Sequence, residues 1–183
     1  MNVDKTKSDR SLRIRANSSS GIGSFAEKAF RVVAIIGFVL SVTFSEAAEL
    51  PFKGRIDGSF VTSATADPVV VSSEAHAVGL ATHTGAFTKI TSDVVNILTG
   101  EVEGSFTMTT PNGDLLKGIY SGFTVPAPDG TFSWVLNATF TGGSGRFAEA
   151  TGEFVFVAEG EYFIVDGNIH GNYTETFEGT ISY

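Results

Sequence analysis

Glu175 is the residue of this chain most open to a chemical role. It shares the parity of Ile169, Tyr173, Phe177 and Ile181 along a run that alternates apolar and polar residues, so its carboxylate falls on the apolar side. A carboxylate buried without a partner costs several kcal/mol or takes up a proton, which is the profile of a working group in a ligand cavity. The competing reading puts Glu175 at a bulge or strand end, in reach of water. Glu74 and His76 stand two residues apart in Val69–Thr82, on one face of a strand with Val78 and Leu80. A carboxylate that orients a histidine is an acid–base unit. The opposite face carries Ala75, Ala77, Gly79 and Ala81, and small residues also suit a narrow lumen, in which case Glu74 and His76 face solvent. His83 falls on that small-residue parity and either edges the mouth of the barrel, as a candidate ligand contact, or makes a structural hydrogen bond to nearby backbone. Trp134 and Tyr173, each on the apolar parity of its strand, are candidate ligand contacts. The three histidines, 76, 83 and 170, lack metal-ligand spacing, and no serine elbow, phosphate loop or cysteine dyad is present. The reading therefore includes neither a metal nor a cofactor.

The elements that would position these groups are strands. Phe52, Ile56 and Phe60 oppose Lys53, Arg55, Asp57 and Ser59. Val102, Phe106 and Met108 oppose Glu101, Glu103, Ser105 and Thr107. Phe132, Trp134, Leu136, Ala138 and Phe140 oppose Thr131, Ser133, Asn137 and Thr139. Each run has one dry and one wet face, as antiparallel sheets do. Asn112-Gly113 predicts a tight type I′ turn between 101–110 and 115–124. Ala127-Pro128-Asp129-Gly130 and Asp166-Gly167 predict two more turns. About eight strands follow in the last 130 or so residues, without helical periodicity, which leaves an up-and-down barrel or a two-sheet sandwich. Glycines inside strand patterns, among them Gly54, Gly58, Gly104, Gly118, Gly171 and Gly179, favour the barrel, which needs bends and close backbone approaches to curl.

Residues 1–48 read differently. Val32 to Phe44 is an uncharged apolar run of 13 residues after Lys28 and Arg31, followed by Ser45-Glu46-Ala47-Ala48. That is the layout of a secretory signal with a long basic n-region, too short for a membrane span of about 20 residues. A buried helix, a later start codon or an organellar transit segment are the alternatives. The expected division is a signal segment over 1–48 and one barrel domain over 49–183, secreted or periplasmic. Without the leader, 5 basic and 16 acidic residues remain, a net charge of −11. Such a surface repels phosphate backbones, so nucleic acid is not an expected partner. An apolar small molecule and a second copy of the chain are the partners left open. With no cysteines, stability has to come from closing a sheet around a core.

Between Phe140 and Glu153 lies Gly142-Gly143-Ser144-Gly145-Arg146-Phe147-Ala148-Glu149-Ala150-Thr151-Gly152. Its Gly143-x-Gly145-x-x-Ala148 spacing is that of a dinucleotide fingerprint, but the aromatic, β-branched run that follows it lacks the helix on which a phosphate would sit. The motif resembles instead the glycine-rich turn between late strands of plant dirigent proteins and allene oxide cyclases. Asn112-Gly113-Asp114-Leu115-Leu116 is similar to a dirigent hairpin. Gly79 to Thr88 and Phe177-Glu178-Gly179-Thr180-Ile181 look like exported bacterial relatives of unassigned activity. The resemblance implies an eight-stranded antiparallel barrel with Phe147 and Ala150 plugging one end. It implies a lumen that holds an apolar molecule, or guides a cyclisation or coupling by confinement without a cofactor. Thr151 stands where dirigent proteins carry a ligand-pocket arginine, and no local motif carries the carboxylate that assists allene oxide cyclases. A barrel filled by its own side chains, with a structural role, is the third reading.

Overall fold

The computed structural model describes residues 48–183, and the leader reading concerns residues that lie almost wholly outside that range. Eight strands follow in order: β1 Leu50–Ala64, β2 Val70–Ala81, β3 Gly85–Asn96, β4 Glu101–Thr109, β5 Leu115–Pro126, β6 Thr131–Gly143, β7 Glu153–Val165 and β8 Asn168–Ile181. Each pairs antiparallel with its sequence neighbours, and β8 returns to β1, so the sheet is a closed barrel rather than a sandwich. Closure leaves no exposed sheet edge, which is how a chain without disulfides completes its backbone hydrogen bonding.

The turns follow local chemistry, with one difference from expectation. Asp166 and Gly167 both have positive φ, +49° and +81°, the type I′ geometry of a two-residue hairpin between Val165 and Asn168. At Asn112-Gly113 only Gly113 is left-handed, at +88°. The loop there is wider: Gly113 N–H donates to the Thr110 carbonyl, and Thr110 N–H to that of Asp114. Thr110 Oγ1 donates to Asn112 Oδ1 at 2.5 Å, and Asn112 Nδ2 donates to the Asp114 carboxylate at 2.9 Å. These bonds hold Asn112 in a wider turn than the dipeptide predicts.

The two ends of the barrel differ. At the end bearing loops 82–84, 110–114 and 144–152, the glycine motif forms a single 3-10 turn, Gly145–Phe147, that places Phe147 and Ala150 fully inside. A three-residue turn offers no helix terminus for a phosphate. Below the turn Phe52, Phe140, Phe154 and Phe177 pack edge-on and stacked, with ring centroids 4.7 to 5.7 Å apart. This half is solid. The half beneath loops 65–69, 97–100, 127–130 and 166–167 is not.

Candidate functional site

The open half holds a cavity of about 290 Å³, near the lower end of small-molecule pockets. Its walls are apolar and largely aromatic: Phe60, Phe132, Trp134 and Tyr173 surround it, and Val71, Tyr162 and Ile169 stand nearer the mouth. Where the cavity meets the solid half, four polar side chains form the floor. Lys89 Nζ donates to Glu175 Oε1 at 2.5 Å, and Trp134 Nε1 donates to Glu175 Oε2 at 3.2 Å. Lys89 and Glu175 are 3% and 1% exposed. Lys89 Nζ also lies 3.9 Å from the centre of the Phe156 ring. Beside this pair, the Tyr120 hydroxyl donates to Asp93 Oδ2 at 2.6 Å.

One rule of register produces all three contacts. Strand partners place Trp134, Ala158 and Glu175 in a row across β6, β7 and β8, and the small middle residue lets the indole N–H reach over to the carboxylate. Asp93, Gly104 and Tyr120 form a second row across β3, β4 and β5. A Cβ on Gly104 would lie 2.4 Å from Asp93 Cβ and 2.8 Å from the Tyr120 hydroxyl, so only glycine leaves the pair its room. Lys89, Ala77, Gly58 and Tyr173 form a third row, across β3, β2, β1 and β8. Its two small residues open the lumen to the lysine's four-carbon stem, which crosses to Glu175 one pleat along from Tyr173. A Cβ on Gly58 would stand 2.6 Å from the Tyr173 ring.

Burial governs the electrostatics of the floor. Desolvation lowers the Lys89 ammonium below the ordinary lysine range, with the attraction of Glu175 and Asp93 opposing it. Desolvation raises the Glu175 carboxyl, against the pull of Lys89 and the Trp134 hydrogen bond. Both shifts act in the direction of the uncharged pair and so narrow the gap that a proton crosses between the two groups. Asp93 is raised by burial too, partly offset by Tyr120, Ser73 and Lys89. Burial and the neighbouring carboxylates push the Tyr120 and Tyr173 phenols upward, so both stay protonated donors.

Three of the sequence candidates meet here: Glu175 is buried on the lumen face, and Trp134 and Tyr173 line the cavity. The other three lie elsewhere. Glu74 and His76 are on the outer, exposed face of β2, because the inward positions are Ser73, Ala75 and Ala77. Their expected place on a lumenal acid–base unit is corrected accordingly. His83 is at the plugged end, not at the cavity rim. It has a left-handed φ of +67°; its Nε2 is 3.1 Å from the Pro51 carbonyl, and its Nδ1 pairs with the Tyr183 hydroxyl at 3.2 Å. Thr151 bridges to Ser182 at the same end and faces outward, far from any ligand-pocket role.

No protein-family model matches this chain, and no curated protein matches it. Among solved structures it is similar to the pterocarpan synthase dirigent protein GePTS1, at 14% identity and a TM-score of 0.42, covering 76% of this chain and 89% of that one. At that score the likeness carries no argument about this chain, whose barrel is established by its own strand pairing. Among the described residues no helix is long and apolar enough to cross a membrane, and no group of three or more histidine or acidic side chains is placed to hold a metal ion.

Lys89, Asp93 and Tyr120 escape a reading by alternation. On β3 the inward residues are Phe87, Lys89, Thr91 and Asp93, whereas Ile90 and Val94 face out. The usable signal was size: small residues on β2 and a glycine inside β4 mark where large side chains from other strands must lie.

Proposed function

We propose that this barrel binds an apolar small molecule in its open half and holds the molecule's polar group against the Lys89–Glu175 floor. The observation that carries this reading is the aromatic-walled cavity ending on a buried, hydrogen-bonded ion pair. A barrel with a purely structural role gains nothing by leaving that half unfilled, since empty apolar space forfeits packing contacts. The same floor favours a second reading. A proton exchanged between Lys89 and Glu175 at the end of an apolar pocket suits cofactor-free acid–base assistance to a confined substrate, such as a cyclisation or coupling. We further propose that the leader is a cleaved export signal, which N-terminal sequencing of the secreted protein tests: an intact Met1 in the extracellular fraction refutes cleavage.

The binding test uses Trp134, the one tryptophan of the chain, as reporter. Titration with a small aromatic alcohol such as cinnamyl alcohol should change its fluorescence saturably. The Ala75→Phe variant, which puts a ring into the cavity wall, should abolish the change while keeping the barrel's circular dichroism. An unsaturable response, or an equal one in the variant, overturns the lumen reading.

A further inference from the structure

From the placement of a buried primary amine at the end of an apolar cavity, in contact with a carboxyl group, we infer that Lys89 captures aldehydes of the lumenal ligand class as an imine. The inference rests on the lumen-binding reading and adds the reactive group that the ligand carries.

Three features of the geometry support it. Lys89 borders the cavity, and among the described residues its Nζ has one hydrogen-bond acceptor, Glu175 Oε1, with the Phe156 ring face on another side. Two of its three N–H bonds are therefore free of oxygen acceptors within the fold, and a ligand atom can approach. Glu175 is pinned from the far side by Trp134 Nε1, so Oε1 stays on Nζ while a reaction proceeds. The walls are apolar and largely aromatic, which disfavours hydration of a bound aldehyde and hydrolysis of the product. Desolvated lysines beside a proton acceptor are the ones that serve as imine-forming nucleophiles.

The steps balance without a further reactant. The ammonium proton passes to Glu175, leaving a neutral amine and a carboxylic acid. The amine lone pair forms the C–N bond at the carbonyl carbon, the C=O π pair moves to oxygen, and that oxygen takes the Glu175 proton. Nζ then returns a proton to the Glu175 carboxylate, and the acid protonates the hydroxyl. The C–O bond breaks, water leaves, and the nitrogen lone pair completes C=N. The product is a protonated imine with Glu175 as its counter-ion. The overall change is ammonium plus aldehyde to iminium plus one water, with no change in oxidation state.

The test is reductive trapping. The full protein is incubated with cinnamaldehyde and sodium cyanoborohydride, and the adducts are located by peptide mass spectrometry. Lys53 and Lys117, both exposed, serve as internal references. Trapping at Lys89 should exceed trapping at either by about tenfold or more, from proximity alone. Cinnamyl alcohol, which binds but cannot form an imine, should suppress the Lys89 adduct and leave the other two unchanged. Glu175→Gln should slow trapping at Lys89 more than at Lys53 or Lys117, and Lys89→Arg should remove that adduct only. If the alcohol binds and Lys89 is trapped no faster than Lys53, the imine inference fails and the lumen reading stands. If neither compound perturbs Trp134, the lumen reading itself fails.

Discussion

Replacing Lys89 with methionine while Glu175 remains should strip the floor of its cation and leave a carboxyl group, 1% exposed, with the Trp134 N–H as its remaining hydrogen-bond donor. Removing one partner of a buried ion pair costs about 3–5 kcal/mol. Set against a total stability of roughly 5–15 kcal/mol, that is a large fraction. With a urea m-value of about 2 kcal/mol/M, the unfolding midpoint should fall by about 1.5–2.5 M, followed through Trp134 fluorescence at pH 7. The double variant Lys89→Met/Glu175→Gln leaves neither charge of the pair and should recover most of the loss, so the cycle gives a strong coupling between the two positions. The pH dependence has a definite sign. Burial raises the Glu175 carboxyl above its ordinary 4.5, and loss of Lys89 removes the main opposing influence. A group that holds its proton more tightly when folded favours the fold below the unfolded value and disfavours it above. The deficit of the single variant should therefore be larger at neutral pH and shrink as the pH falls toward 4.5. A single variant with the parent's midpoint at pH 7, or a double variant no better than the single, would refute a closed, desolvated pair at the barrel's centre.

Asp93→Asn keeps an acceptor for the Tyr120 hydroxyl and removes an ionisation that burial opposes. Because the folded carboxyl is raised above 3.8, the parent loses stability as pH rises through that region, so the variant's advantage in thermal unfolding should grow from pH 4 to pH 7; a constant difference sinks the argument. Phe147→Ala at the plug should cost about 3–5 kcal/mol in urea unfolding, yet leave the cinnamyl alcohol titration of Trp134 nearly unchanged, since the cavity opens at the other end. Glu74→Gln and His76→Ala, on the outer face of β2, should leave both the unfolding midpoint and ligand titration at parental values. A change in the titration would bring β2's outer face back into the site.

Alternation alone placed Glu175, Trp134 and Tyr173 on inward faces, and the glycines of the motif marked a turn, which its resemblance to a known family made the plug that Phe147 forms. Those positions follow from local rules: side chains alternate across a strand, and turn residues need particular backbone angles. Alternation left the faces of β2 open and gave no reading of β3, and on both the hydrophobic pattern is inverted. Val78 and Leu80 point outward at 61% and 66% exposure, while Lys89 and Asp93 point in. Parity divides a strand into two faces but does not say which one is inside when both mix polar and apolar residues. Curvature decides that, because the inner face of a narrow barrel has less room than the outer one. Ala75 and Ala77 turn inward so that Lys89 can cross the lumen, and Gly104 so that Tyr120 can reach Asp93. The residues that meet at the floor lie up to 86 positions apart, and only ring closure between β1 and β8 brings Glu175 within reach of Lys89. Strand character and turns are local properties, written in neighbouring residues; the pairing of a buried amine with a buried acid is a product of register around a closed circle, to which every strand contributes.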